Sequence, residues 1–229
     1  MKGFVDYNID IVIKFGGSLL KDPIGCKKTI YYIQQLSKKH RIVVFPGGGP
    51  TDNTIEDIDK TVHFMPITHH YACAKAQDQT GLMLSDRFFG LDLEAIDNLS
   101  VLENTFDKGK IPVLLPSMII HFINPFEQCW EITSDSMAAW LCWILGCHKL
   151  IILTDVDGIY ELKHIGNPSY LIKKITTDQL STMGHTSVDE CLSEFVKANG
   201  IIVYVCNGFY PERLLNIYND KFIGTIIGG

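Results

Sequence analysis

Lys14-Phe-Gly-Gly-Ser18 closes the apolar run from Ile9 to Ile13, and Pro46-Gly-Gly-Gly-Pro50 closes a second run from Ile42 to Phe45. Two strands are therefore predicted to release their chain into glycine turns of phosphate-binding size. Glycine admits positive φ and lets backbone N–H groups close around anionic oxygens, while a helix that follows directs its positive end at the same point. Lys14 adds a mobile cation, and the pair of turns points to phosphoryl transfer more strongly than either alone. Neither turn has the spacing G-x-x-x-x-G-K-[ST] or G-x-G-x-x-G, so the P-loop and dinucleotide fingerprints are absent and a different nucleotide-binding fold is needed.

Around these turns, short β-branched runs alternate with helical patterns. Strands are predicted over 9–14, 42–45, 112–115, 150–154, 201–206 and 224–227, and helices over about 25–39, 52–60, 68–88, 134–145, 188–198 and 211–218. That rhythm implies a parallel sheet with crossover helices, an α/β fold whose ligands gather at the carboxyl ends of the strands. With no repeat or Ser/Pro-rich linker, the 229 residues are expected to form one domain over 1–229, with lobes of about 1–120 and 121–229 meeting near 116–130.

Composition narrows the function. A hydrophobic content of 46% is ample for a buried core, and the net charge of −6 comes with three scattered arginines, Arg41, Arg87 and Arg213, and no basic run. Nucleic acid is therefore not the expected partner. The seven cysteines include no C-x-x-C pair, which suits a reducing compartment. The longest apolar stretch, Met137 to Cys147, is too short to span a bilayer, and no leader-like segment opens the chain. A soluble, cytoplasmic protein without membrane contact is expected.

Two further motifs carry chemistry. In Thr133-Ser134-Asp135-Ser136, ahead of the apolar helix, any of the polar side chains could cap the helix; alternatively Asp135 holds Lys14 or a metal-bound phosphate in place. Thr154-Asp155-Val-Asp157-Gly158-Ile-Tyr160 sets two carboxylates on a glycine turn after a strand, either to shape a nucleotide pocket and help hold magnesium or as an ordinary Asp-Gly turn. His63, His69, His70 and Asp78 invite a metal reading, but a solvated or core-edge helix is the better expectation, and no metal site is assigned.

In this order, the four motifs resemble the amino acid kinase superfamily, and the closing Val205-Cys-Asn207-Gly208 and Gly224-Thr225 resemble its last strand and turn. The similarity covers nearly the whole chain. It implies an αβα sandwich with a largely parallel central sheet, ATP and Mg2+ as cofactors, a small-molecule acceptor and a homo-oligomer, dimer or higher. The segments from His70 to Gly81, Trp130 to Trp140 and Thr186 to Asp189 resemble the branch of the aminomethylfuran phosphate kinases, whose acceptor would be an amine-bearing phosphate monoester.

The resemblance implies a role for each residue. Lys14 would bridge donor and acceptor phosphates, with Asp135 orienting it; Gly16, Gly17 and Ser18 would cradle the transferring group, and Gly47, Gly48 and Gly49 the acceptor. Thr154, Asp155, Asp157, Gly158 and Tyr160 would form the nucleotide pocket, with Asn207 and Gly208 nearby. His70 and Asp78 would face the acceptor, Asp78 pairing with its amine. The chain departs from the acetylglutamate kinase pattern where a second lysine is expected, reading Met183-Gly-His-Thr-Ser-Val-Asp-Glu190 instead; Lys163, Lys173 or Lys174 could replace it. The glycine turn continues as Pro50-Thr51-Asp52, with no nearby arginine to grip an anionic acceptor, which weakens a UMP-like assignment. A kinase of carboxylates or of UMP, and a non-catalytic nucleotide-storage relative, are the alternatives.

Overall fold

Ile11–Phe15 (β1) is buried along its whole length, which requires cover on both faces of the sheet. The computed structural model describes residues 6–161, 164–184 and 186–228 and supplies that cover. Successive side chains of a strand point to opposite faces. Ile11, Ile13 and Phe15 accordingly pack with Cys26, Ile30 and Ile33 of Pro23–Ser37 (α1), while Val12 joins Met137, Ala138 and Leu141 on the other side.

After Ile42–Pro46 (β2) come Gly49–Val62 (α2) and Pro66–Leu84 (α3), followed by Leu93–Ile96 (β3), Leu102–Asp107 (α4), Ile111–Leu114 (β4) and Ser117–Ile123 (α5). Ser134–Ile144 (α6), Lys149–Thr154 (β5), Lys174–Ile175 (β6), Thr177–Ser181 (α7), Leu192–Asn199 (α8), Ile202–Asn207 (β7) and Thr225–Ile227 (β8) complete the order. The sheet runs β3-β4-β2-β1-β5-β7-β8-β6 and is parallel except where β8 meets β7. This is the expected αβα sandwich with its largely parallel sheet. Among the described residues no helix is long and apolar enough to cross a membrane.

Several boundaries differ from the sequence reading. α2 starts at Gly49, straight out of the glycine turn, because Pro50 sits in its first turn, where a missing N–H costs nothing. The helix read over 188–198 begins at Leu192, since Asp189 accepts its N–H and ends the loop there. The segment read as a helix over 211–218 is a 3-10 stretch, Pro211–Asn216. β3, β6, α4, α5 and α7 were not foreseen.

Candidate active site

Four of the motifs meet because β2, β1, β5 and β7 are neighbours in register. Phe15 lies opposite Pro46 and Leu153, and Thr154 opposite Asn207, so every motif leaves the sheet at the same edge. Gly16 N–H donates to the Leu153 carbonyl and Gly47 N–H to that of Phe15, each at 2.8 Å. The two turns touch through bare backbone: a Cβ on Gly17 would lie 2.2 Å from the Gly49 nitrogen, and one on Gly47 2.8 Å from the Gly17 nitrogen. Gly49 also needs its left-handed φ of +65°. Ser18, in the 3-10 turn Gly17–Lys21, is half-buried.

Parity places Lys14. It shares the face of Val12, toward α6, and its Nζ lies 2.7 Å from Asp135 Oδ1 in a largely buried ion pair. Oδ1 accepts no aligned hydrogen bond, so the contact is electrostatic. Asp135 is free for this because others cap α6. Thr133 is the N-cap residue, its Oγ1 accepting from Asp135 N–H at 3.3 Å. Buried Asp189 accepts from the N–H and hydroxyl of both Thr133 and Ser136. Burial and the neighbouring Asp135 charge raise the Asp189 carboxyl above its ordinary range. The capping alternative for Asp135 is thus set aside, and Asp189 is a brace the sequence reading did not assign.

On the β5 side of Lys14 lies a cleft of about 190 Å³ whose lining includes Thr154, Asp155, Gly158, Tyr160 and Ser187. The other residues expected in the nucleotide pocket stand behind it. Asp157 accepts from Arg213 at 2.6 Å and Asn207 at 3.1 Å, so its carboxylate braces the turn rather than facing the cleft. Gly208 packs on Leu19, and its carbonyl accepts from Thr29 Oγ1 at 2.7 Å. Besides Arg213, a cation beside this cleft is Lys21, 3.0 Å from Asp155 Oδ2, a residue no sequence motif marks. Lys173 and Lys174 line a different cleft with Tyr204 and Tyr218, and Lys163 lies outside the described residues.

On the other side, α2, α3 and the segment before α6 enclose a narrower cleft lined by residues including Asp52, His70, Cys73, Gln77, Trp130 and Met137. Trp130 donates from Nε1 to Asp59 at 2.8 Å and stacks on His69, ring centroids 4.6 Å apart, forming the outer wall. His70 is 3% exposed, and burial lowers its pKa below the ordinary imidazole value. Asp78 is not in this cleft. Its carboxylate accepts from the N–H of Ser117 at 3.0 Å and from the Ser117 hydroxyl, which pins the start of α5. Of the two residues expected to face the acceptor, His70 lines this cleft and Asp78 does not. Among the described residues, no three His, Cys, Asp or Glu side chains converge as a metal cage.

The chain is similar to known proteins in sequence and in fold. A family model described as the amino acid kinase family matches residues 11–207. The [5-(aminomethyl)furan-3-yl]methyl phosphate kinase of Methanocaldococcus jannaschii is 35% identical over 92% of this chain and 93% of its own. The uridylate kinase of Methanococcus aeolicus is 26% identical over 95% of this chain and 98% of its own. The crystal structure of Archaeoglobus fulgidus uridylate kinase superposes with a TM-score of 0.74 at 16% identity, over 96% of this chain and all of that one, a likeness of fold.

Proposed function

The chain belongs to the amino acid kinase family, a family of phosphotransferases, and we propose that it phosphorylates a small amine-bearing phosphate monoester with ATP. The observation that carries this reading is the buried Lys14–Asp135 pair at the meeting of the two glycine turns, with one cleft on either side. The acceptor class follows the relative named as a [5-(aminomethyl)furan-3-yl]methyl phosphate kinase, which is 35% identical to this chain over 93% of its own length.

In the proposed reaction an oxygen of the acceptor phosphate forms a bond to the γ-phosphorus as the bond to the β–γ bridging oxygen breaks. The products are ADP and a diphosphate monoester. A phosphate monoester is already an anionic nucleophile near neutral pH, so the work is positioning and charge neutralisation rather than base catalysis. Lys14 neutralises charge spreading over the moving group, and Asp135 holds Lys14 in place. The N–H groups of Gly17 and Ser18 serve the transferring phosphoryl, and those of Gly48 and Gly49 the acceptor. Lys21 is placed to serve the nucleotide's phosphates from beside Asp155.

Asp135 and Asp155, each also paired with a lysine, are the carboxylates that would help hold a magnesium ion brought in with the nucleotide. Such an ion would supply further neutralisation of the β- and γ-oxygens. The test is ATP turnover against phosphorylated amines, amine-free phosphates, UMP and acetylglutamate, with products identified by mass. A phosphorylated amine is expected to lead; a preference for UMP or for a carboxylate overturns the acceptor class.

A further inference from the structure

Three buried side-chain atoms around the narrower cleft lack any hydrogen-bond partner: Asp52 Oδ1, Gln77 Oε1 and His70 Nε2. Gln77 and His70 are 2% and 3% exposed. Folded proteins seldom leave buried polar atoms unpaired, and each such atom calls for a reason: strain, a catalytic role, or a bound water, ion or ligand. Two of the three accept only, as carboxylate and amide oxygens. The space between them is about 30 Å³, enough for one group the size of water or ammonium.

Asp52 is not explained by its helix. It lies in the first turn of α2, where a carboxylate suits the helix dipole, yet its Oδ1 finds no hydrogen-bond partner among the described residues. It is folded instead against the glycine turn: a Cβ on Gly48 would lie 2.5 Å from both Cβ and Cγ of Asp52. The charges near it do not pair with it. Lys14 reaches it with its charge but is paired with Asp135, Glu56 has the same sign, and Cys73 gives it only a thiol hydrogen bond.

We propose that Asp52 recognises the ammonium group of the acceptor, with Gln77 Oε1 as a second partner, the role that the family resemblance implied for Asp78. A primary ammonium brings three donors to a site that holds acceptors and one uncompensated negative charge. Because Asp52 is folded against the glycine turn proposed to take the acceptor phosphate, the reading calls for an amine and a phosphate on one short molecule. Burial raises the Asp52 carboxyl above its ordinary range, and an arriving cation would offset that cost.

The inference rests on the reading of the chain as a kinase of amine-bearing phosphates, and the test separates the two. Calorimetry on the full chain compares [5-(aminomethyl)furan-3-yl]methyl phosphate with (5-methylfuran-3-yl)methyl phosphate, which lacks the amine, while turnover with ATP is followed in parallel. Wild type should bind the amine at least about tenfold more tightly. Asp52→Asn and Asp52→Ser should erase that margin without weakening the amine-free probe, and Asp78→Asn should keep it. No margin in wild type, a margin that survives in either folded Asp52 variant, or one lost in Asp78→Asn overturns the assignment. A wild-type margin erased by the Asp52 variants, with no phosphoryl transfer to either probe, upholds Asp52 and overturns the kinase reading. Equal binding with transfer to both probes does the reverse.

Discussion

Lys14 occupies a buried strand position because its ammonium has a partner. A lone charge there would be prohibitively costly, and the Asp135 carboxylate 2.7 Å away offsets the cost while aiming the cation at the strand's end. A cation that acts on developing charge acts chiefly in the transition state. Lys14→Ala is therefore expected to lower turnover at least about a hundredfold, roughly 2.7 kcal/mol, while ATP affinity by calorimetry changes less. Near-normal turnover by the folded variant would remove Lys14 from the site. Lys14 and Asp135 were legible because strand-then-glycine and polar-then-apolar patterns mark them. Asp52 was not, since Pro50-Thr51-Asp52 reads as an ordinary helix start. Asp78 misled through spacing. At 3.6 residues per turn, His70, Cys73 and Gln77 form one stripe, and the residue after Gln77 turns a further 100° or so, toward α5.

At the scale of elements, the two glycine turns work as one unit. Gly17 and Gly49 approach so closely that a methyl group on Gly17 would collide with backbone at 2.2 and 2.3 Å, with no flexible side chain to yield. Gly17→Ala should push the turns apart, costing about 1–3 kcal/mol of stability by denaturant melting and most of the turnover. Wild-type values for both would show that the contact is dispensable. The strands that carry the motifs were readable because burial on both faces leaves unbroken apolar runs, as in β1 and β2. β3 was not, being a four-residue strand at the sheet's edge with Glu94 within it, and β6 has only two residues. α5 is seven residues long and takes its start from Ser117 bound to Asp78, a contact 39 positions apart that no local pattern announces.

For the whole molecule, the sheet order decides where chemistry can occur. The chain adds β2 and β4 on one side of β1 and β5 and β7 on the other, and such a switch point opens a crevice beyond the strands' carboxyl ends. The crevice holds the Lys14–Asp135 pair, with the nucleotide assigned to the β5 side and the acceptor to the α2–α3 side. The α/β class was legible from alternation. The strand order was not, because parallel neighbours come from distant segments; the family resemblance carried by the motifs implied the αβα sandwich but no order of strands. The central claim is transfer of one phosphoryl group from ATP onto an existing phosphate. Phosphorus NMR of the enzyme with ATP, Mg2+ and [5-(aminomethyl)furan-3-yl]methyl phosphate should show a new pair of coupled diphosphate resonances growing one-for-one with ADP. An uncoupled new resonance, or ADP formed with free phosphate alone, would contradict it.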